Sequence, residues 1–316
     1  MLRALVKGAG LVAVARVPGG AAAYRRLTRD VLGTQRGHVE KLRRVVPGYV
    51  EIWRQTLERP LEGARIWIHE AGWTAYWPAV CYRLSGRAGA VTNCEGRIHD
   101  QYLSRAIAGA IATEIPNDLN DPRRIRRLRA LLWARQSDEL FRTLEGTLHE
   151  RCVPTNLPLA DASRDLCHSG GVLEHYRPDE LAAFARECRR VLKPGAIASH
   201  VLDHRDHLWH ADKAYPFLGH LALAEPLYQL LHGHRRSLSY HNRLSPEEVV
   251  ALFEREGFRC LALRRLVLPE RIYLDADEAA RRGAPGLSRR YLAPRHRAIS
   301  EADLRTAAAH YLFQKS

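Results

Sequence analysis

From Arg65 onward the sequence alternates between short β-branched or aromatic runs and longer amphipathic stretches, and this alternation constrains the fold more than any other feature. Strands that alternate with crossover helices are typical of a parallel sheet. The pattern predicts strands at 65–69, 88–93, 148–152, 165–169, 196–202, 259–268 and 310–314. Helices are predicted at 72–84, 100–115 and 178–192, and after the capping sequence Ser245-Pro246-Glu247-Glu248. The chain is therefore predicted to have an α/β fold.

The first 60 residues have a different, helical pattern. Helices are predicted at 21–32, 37–46 and 49–57, with breaks at Pro47-Gly48 and Pro60. We expect residues 1–60 to form an N-terminal helical cap and residues 61–316 to form the α/β domain. That domain is expected to contain helical insertions near 118–145 and 206–234.

Residues 2–16 are predicted to form an amphipathic helix that packs on its own domain, with peripheral membrane contact as the alternative. No apolar run reaches the ~18 residues of a membrane span, so no transmembrane segment is expected. The six cysteines are scattered without paired spacing, which indicates neither a zinc site nor a disulfide framework. This cysteine usage is typical of a cytoplasmic protein.

The net charge of +14 raises the question of a nucleic-acid partner. Nearly all of the 49 basic residues are arginine, a bias that fits a GC-rich coding sequence. The densest cluster, at 122–136, has the spacing of a helix with an apolar stripe and a solvated basic face. An anionic substrate, a membrane or a nucleic acid remain alternative partners for that face. No basic platform with interleaved aromatic residues supports nucleic-acid binding.

Three pieces of sequence around the fourth predicted strand carry a family resemblance. They are LPLADASRDL (157–166), VLEHYRPDEL (172–181) and RRVLKPGA (189–196). In this order and spacing they resemble the class I methyltransferases dependent on S-adenosylmethionine, in the broad group that acts on small molecules. The resemblance implies a Rossmann-like, doubly wound sheet of seven strands. Such a sheet is mostly parallel with an antiparallel last strand, and here N-terminal helices would be added to it.

The same resemblance places the sequence IHEAGWTAYWP, which begins at Ile68, on a cofactor loop of the type acidic-x-Gly-x-Gly-Trp. Glycines in such a loop let the backbone approach the cofactor closely. Ile68 stands at the acidic position and Glu70 at the first glycine position, whereas Gly72 and Trp73 are retained. Either Glu70 replaces the lost carboxylate or its side chain fills the space for the methionine part of the cofactor.

The resemblance also assigns further contacts to S-adenosylmethionine. Asp161 and Ala162 match the pair that borders the adenine, and Asn93 or Glu95 stands where an acid usually binds the ribose hydroxyls. The residues predicted to bind the cofactor are Glu70, Ala71, Gly72, Trp73, Asn93, Glu95, Asp161, Ala162 and Ser169.

Candidate residues for the methyl acceptor follow the fourth and fifth strands. His175 and His207 are predicted as catalytic bases, with Asp206 as the partner that orients His207. Tyr240 and Asn242, before the capped helix, are predicted to contact the substrate. Two Asp/His pairs with i, i+4 spacing, 203/207 and 206/210, would suit a metal if they were helical, but no metal is expected.

The resulting expectation is methyl transfer to an oxygen or nitrogen atom of a small molecule. The alternative is a catalytically inactive relative with a binding or regulatory role, which the residues Ile68 and Glu70 favour.

Overall fold

The computed structural model describes residues 38–57, 60–94, 98–115, 121–209, 216–232, 240–267 and 292–316, together with a few positions between 10 and 27. The strands are β1 (Ile66–His69), β2 (Ala90–Asn93), β3 (Thr147–Glu150), β4 (Arg164–Gly170), β5 (Leu192–Asp203), β6 (Phe258–Val267) and β7 (Thr306–Lys315). The α-helices are α1 (His38–Thr56), α2 (Tyr76–Ser85), α3 (Leu103–Ala112), α4 (Pro122–Ala130), α5 (Ser137–Thr143), α6 (Pro178–Val191), α7 (Glu225–His232), α8 (Pro246–Arg255) and α9 (Glu301–Leu304).

The strands form one sheet in the order β3-β2-β1-β4-β5-β7-β6. The pairs between β1 and its neighbours are parallel, as are the pairs of β2 with β3 and of β4 with β5. The last strand, β7, runs antiparallel to both β5 and β6. The predicted mostly parallel sheet with an antiparallel last strand is confirmed.

Helices cover both faces of the sheet because successive residues of each strand point to opposite sides. Ile66, Ile68 and Leu166 lie in a core with residues of α1, α2 and α3. Trp67 and Cys167 alternate with them and lie in a second core with residues of α6 and α8. Because the strands are buried on both faces, successive residues in them are apolar, and the sequence therefore shows continuous apolar runs at these strands.

Helix α1 differs from the prediction, since it continues through Pro47 as one helix instead of two. A proline inside a helix removes one backbone hydrogen bond and usually kinks or ends it. Here Val46, Val50 and Trp53 are buried on one side of the helix, and their packing maintains it across Pro47. The predicted break at this proline is therefore wrong.

A polar seam inside the protein ties α1 to the middle of the sheet. The Ser199 hydroxyl on β5 lies 2.8 Å from Nε1 of Trp53, 3.1 Å from Nδ1 of His168 and 2.8 Å from Nε2 of His310. All four groups are buried. The seam joins α1 to three neighbouring strands, β4, β5 and β7.

Some sequence predictions fall outside the described residues. These are Glu95, His210, most of the segment 2–16, most of the predicted helix 21–32 and part of the predicted insertion 206–234. Among the residues that the structure does describe, no helix combines the length and the apolar character needed to cross a bilayer.

Candidate active site

The carboxyl ends of β1, β2 and β4 meet at one edge of the sheet, because the three strands are parallel neighbours. In open α/β sheets this edge is where ligands bind. Here it is formed by the loop that follows β1, by Cys94 after β2, and by the segment 171–176 after β4.

The loop after β1 keeps the backbone of a glycine-rich turn although Glu70 replaces a glycine. Glu70 has φ 56° and Gly72 has φ 72°. The left-handed region costs an ordinary L-residue about 1–2 kcal/mol. The Glu70 amide donates a hydrogen bond to the Thr92 carbonyl at 2.8 Å, which helps to hold this conformation.

The side chain of Glu70 turns toward the end of β2. Its carboxylate accepts a hydrogen bond from the backbone N–H of Cys94, the first residue after that strand. A carboxylate from the first loop therefore lies at the strand end where the resemblance expects an acidic side chain.

Asn93, the last residue of β2, fixes the same loop. Its amide oxygen accepts from the Ala71 N–H at 3.0 Å, and its amide nitrogen donates to the Gly72 carbonyl at 3.1 Å. Trp73 is held in a similar way, since its carbonyl accepts from the His99 N–H at 2.9 Å. The Asn93 side chain thus has a positioning role that the sequence did not reveal.

His69, at the end of β1, connects the three strand ends. Nδ1 lies 2.9 Å from the Thr92 hydroxyl and Nε2 lies 2.6 Å from the Tyr176 hydroxyl. Tyr176 in turn lies 3.8 Å from Sγ of Cys94. Burial lowers the pKa of His69 to about 3, so the ring is neutral at physiological pH. Sequence reasoning missed His69 and Tyr176, although both adjoin predicted strand ends or site residues.

The N-terminal helix covers part of this edge. A Cβ added at Gly72 would lie 3.4 Å from Nε2 of His38, the first residue of α1. Burial, assisted by Lys41, lowers the pKa of His38 to about 4. No local pattern links position 38 to position 72, so the sequence could not predict this contact.

After β4 the chain places a buried carboxyl group beside the cleft. Glu174 is 2% exposed, and burial, with the nearby charge of Asp203, raises its pKa to about 8. Among the described residues, its Oε2 has no hydrogen-bond partner. Asn242 holds this segment, since its N–H donates to the Glu174 carbonyl at 2.8 Å and its side chain donates to the Leu173 carbonyl at 2.9 Å.

The two predicted catalytic histidines come together at this place. The rings of His175 and His207 are stacked, with centroids 4.7 Å apart and planes 8° apart. Nδ1 of His175 lies 3.2 Å from the Tyr240 carbonyl. The ring of His207 is also 5.8 Å from that of His241. The structure therefore confirms that these residues are neighbours, whereas their catalytic role stays a prediction.

Comparison with known families agrees with this architecture. Residues 126–199, which begin in α4 and end in β5, match the family model described as "Methyltransferase domain". The match covers less than a quarter of the chain, and over these residues the chain is similar to methyltransferases. The cofactor of this family is S-adenosylmethionine. The matched residues do not include the loop after β1. Only the geometry of that loop therefore bears on its fit to the cofactor.

Solved methyltransferases align with most of this chain at low similarity. A methyltransferase from Methanosarcina mazei has 15% identity and a TM-score of 0.43, covering 84% of this chain and 96% of its own. One from Mesorhizobium loti has 14% identity and a TM-score of 0.44, with the same coverage. Phosphoethanolamine N-methyltransferase 2 from Haemonchus contortus, solved with S-adenosylmethionine, has 12% identity and a TM-score of 0.46, covering 84% of this chain and 51% of its own. No curated protein matches the sequence.

The residues at this edge of the sheet have features that suit S-adenosylmethionine. Cβ atoms added at Gly170 or Gly171 would come no closer than 3.7 Å to another residue, and there only to the end of a side chain. The backbone at the end of β4 is therefore open to close approach. Thr74, in the loop after β1, has a buried hydroxyl without a partner among the described residues. The Glu70 carboxylate is an acceptor suited to ribose hydroxyls, and its negative charge suits a nearby sulfonium.

The predicted pairing of Asp206 with His207 is wrong. The Asp206 carboxylate accepts from the Leu208 N–H at 2.8 Å and lies 3.8 Å from Nδ1 of His220. Burial raises its pKa to about 6. Asp206 therefore stabilises the turn after β5 and does not orient the His207 ring.

The predicted adenine contact of Asp161 and Ala162 is also wrong. Both residues precede β4, so they lie at the amino end of the sheet, opposite the cleft. Asp161 is exposed and pairs with Arg190 at 2.5 Å, and the Ala162 N–H donates to the Arg190 carbonyl. The segment that does lie beside the cleft is 151–156 after β3, where the Cys152 N–H donates to the Asn93 carbonyl at 3.0 Å.

The remaining predicted residues are placed as follows. Ser169 is buried, and its hydroxyl lies 2.8 Å from Nδ1 of His200. The Tyr240 ring is packed near the guanidinium of Arg177, 5.4 Å from the ring centroid, and near Tyr228. Contact of Ser169 with the cofactor, and of Tyr240 and Asn242 with the substrate, remains a prediction.

Three groups of side chains could in principle hold a metal. They are Cys167 with Cys188 and His200, His69 with Glu70 and Cys94, and Glu174 with His175 and His207. Parallel stacked imidazoles cannot direct two nitrogen lone pairs at one ion, which disfavours the third group. Both nitrogens of His69 have partners, which disfavours the second. The i, i+4 pair 203/207 is not helical, because Asp203 ends β5.

Proposed function

We propose that this protein transfers a methyl group from S-adenosylmethionine to an oxygen or nitrogen atom of a small molecule. The observation that carries the proposal is the state of Glu70. Its backbone keeps the left-handed conformation of the glycine it replaces, with φ 56°. Its carboxylate turns to the Cys94 N–H at the end of β2. The substitution thus preserves the turn and moves a carboxylate to the expected strand end.

On the cofactor side, Glu70 is the group that accepts hydrogen bonds from the ribose hydroxyls. A carboxylate forms stronger hydrogen bonds than the neutral amide of Asn93 would. Asn93 instead keeps the loop in position through Ala71 and Gly72. The small residues Gly72 and Gly171 allow the backbone to approach the cofactor, and His38 on α1 lies above the loop.

On the acceptor side, the stacked pair His175 and His207 performs the proton transfer. When bound, the cofactor supplies a methyl group on a positively charged sulfur that leaves as a neutral thioether. His207 takes the proton that the acceptor O–H or N–H loses. Stacking on His175 limits rotation of the His207 ring. Alignment of the reacting atoms and exclusion of water supply the rest of the catalysis.

The second candidate is a binding protein that has lost methyl transfer. One observation favours it: the Glu70 side chain crosses the cleft edge between β1 and β2, where it could fill cofactor space. Under this alternative the fold and the charged edge would serve a partner or a regulator.

Calorimetric titration with S-adenosylmethionine and S-adenosylhomocysteine separates the two candidates when it is repeated on Glu70→Gly. If Glu70 holds the ribose, the wild type binds both compounds and the variant binds about tenfold to a hundredfold more weakly, since hydrogen bonds to a charged group contribute about 1.5–3 kcal/mol. If Glu70 fills the site, the wild type does not bind and Glu70→Gly creates binding.

Glu145→Gly is the matched control. Glu145 also has a left-handed backbone, with φ 55°, but it lies in the turn before β3, away from the cleft. It should leave the affinity within twofold of the wild type. Absence of binding by the folded wild type and by both variants would overturn the proposed function.

A further inference from the structure

Helix α4 exposes a row of arginines and is rigidly attached to the domain. Its solvent side carries Arg123, Arg126, Arg127 and Arg129, all exposed. On the opposite side Leu128 is fully buried. Arg124 anchors the helix, since its guanidinium donates to the carbonyls of Arg83 at 3.2 Å and Leu84 at 3.0 Å. The orientation of the basic face is thus fixed by the fold.

An exposed indole lies in the turn that follows this helix. Trp133, in the 3-10 turn Leu131–Trp133, is 88% exposed. Positions 126, 130 and 133 follow one another at helical spacing, so Trp133 lies near the same line as Arg126. The other tryptophans are shielded: Trp53, Trp67, Trp77 and Trp209 are buried, and Trp73 is half-buried. We call Arg123, Arg126, Arg127, Arg129 and Trp133 the α4 face.

The arginines of the α4 face have no ion-pair partner among the described residues. In the part of the chain that the structure describes, none of their guanidiniums forms an ion pair, and Arg127 lies 5.8 Å from the Tyr82 ring centroid. Exposed arginines on the other side of the sheet do form ion pairs. Arg186 on α6, for example, pairs with Glu256 at 2.9 Å. Among the described residues, the acids Asp121, Asp138 and Glu139 lie at the starts of α4 and α5.

We propose that the α4 face docks on an anionic phospholipid surface, with Trp133 in the headgroup region and the arginines on lipid phosphates. Basic residues near a membrane are attracted by its negative surface potential, and tryptophan prefers the membrane–water interface. A membrane has charged phosphates next to an apolar interior, and this arrangement fits an exposed indole beside exposed guanidiniums better than a nucleic-acid duplex does. The phosphates of a duplex would attract the arginines, but they would not bind the apolar indole of Trp133.

The α4 face is separate from the cleft described above. Arg124 binds carbonyls at the carboxyl end of α2, whereas the loop with Glu70 and Gly72 precedes the amino end of that helix. Docking would therefore leave the cleft open. The inference does not depend on the proposed methyl transfer.

The test is co-sedimentation of the full-length protein with vesicles. One set contains phosphatidylcholine alone, and the other an equimolar mixture with phosphatidylglycerol. We expect binding to the mixture only, and loss of binding at molar salt, where the screening length falls to about 3 Å. Because Trp133 is the most exposed of the tryptophans, brominated lipid chains should quench its emission, and Trp133→Phe should abolish most of that quenching.

Charge variants test whether the α4 face or the overall charge is responsible. Arg126→Gln with Arg129→Gln should lower vesicle binding about tenfold, and Trp133→Ala several-fold. The control, Arg186→Gln with Arg255→Gln, removes the same charge from exposed sites on α6 and α8 and should stay within twofold. Equal losses in the two double variants, equal binding to both lipid compositions, or retention of a DNA duplex without vesicle binding would overturn the proposal.

Discussion

Two loops of this protein differ in how well a sequence pattern predicts their position in the fold. The loop after β1 departs from the family pattern at Ile68 and Glu70, yet it keeps the turn, the strand-end carboxylate and the position at the cleft. The loop before β4 contains the matching pair Asp161-Ala162, yet it lies at the other end of the sheet and forms a surface ion pair. Whether a side chain can contact a ligand depends on its position relative to the strand ends. A match to the residue type of a family motif does not decide it.

Removal of the side chain that organises the cleft loop should have the largest effect. Asn93→Ala leaves the buried Ala71 N–H without its acceptor and the Gly72 carbonyl without its donor. We expect a loss of about 2–3 kcal/mol in the free energy of unfolding and weaker binding of S-adenosylhomocysteine. Denaturant unfolding and calorimetry measure the two effects. Gln55→Ala, at an exposed position near the carboxyl end of α1, is the control and should change neither.

The buried carboxyl group of the cleft should make stability depend on pH. Between about pH 4.5 and pH 8 the folded state keeps the Glu174 proton that the unfolded state has lost. The free energy of unfolding therefore falls as pH rises through this window. Glu174→Gln should remove on the order of 2 kcal/mol of that fall. Identical pH profiles for the wild type and the variant would show that Glu174 ionises normally, and Glu139→Gln on the surface serves as control.

The backbone at position 70 can be tested apart from its carboxylate. Glu70→Gly and Glu70→Ala both lose the carboxylate, but only alanine keeps a Cβ in the left-handed region. The glycine variant should be more stable by about 1 kcal/mol. Thermal or denaturant unfolding of the pair measures the difference. An alanine variant of equal or greater stability would contradict a left-handed turn here.

The amino-end loop should give the smallest effect and so complete the comparison. Asp161→Ala removes an exposed ion pair with Arg190, which contributes less than about 0.5 kcal/mol to stability. Affinity for S-adenosylhomocysteine should be unchanged in the calorimeter. A weaker affinity would indicate that Asp161 contacts the cofactor and would contradict its position at the amino end of the sheet.

The sequence predicted the strands, the helices and the α/β class because alternating apolar runs and caps are local signals, whereas the strand topology came from the family resemblance. The helix after Ser245 illustrates this, since the capping box forms as predicted, with the Ser245 hydroxyl 3.2 Å from the Glu248 N–H. Pro47 was predicted wrongly because tertiary packing of Val46, Val50 and Trp53 outweighs the local cost of a proline.

The site was only partly predictable, for a physical reason. The strand-end rule located Glu70, Asn93, His175 and His207, but not what their side chains bind. His38 over Gly72 is a contact between distant parts of the chain, and no spacing encodes it. The burial that shifts the pKa of Glu174 likewise depends on the whole fold.

The hydrogen bonds around Ser199 restrict which nitrogens of His168 and His310 can carry a proton. A hydroxyl has one proton, and the Trp53 N–H can only donate to it, so the His168 and His310 nitrogens facing it cannot both donate and cannot both accept. Of the two facing nitrogens, Nδ1 of His168 and Nε2 of His310, one must therefore carry a proton and the other must not, so both neutral rings have the same tautomer. Adding a proton to the accepting nitrogen would leave three donors facing one oxygen. Burial lowers the pKa of His310 to about 4, which keeps this arrangement intact near neutrality. Acid strong enough to protonate the accepting ring would break it and weaken the attachment of α1, the helix whose His38 lies over the loop after β1.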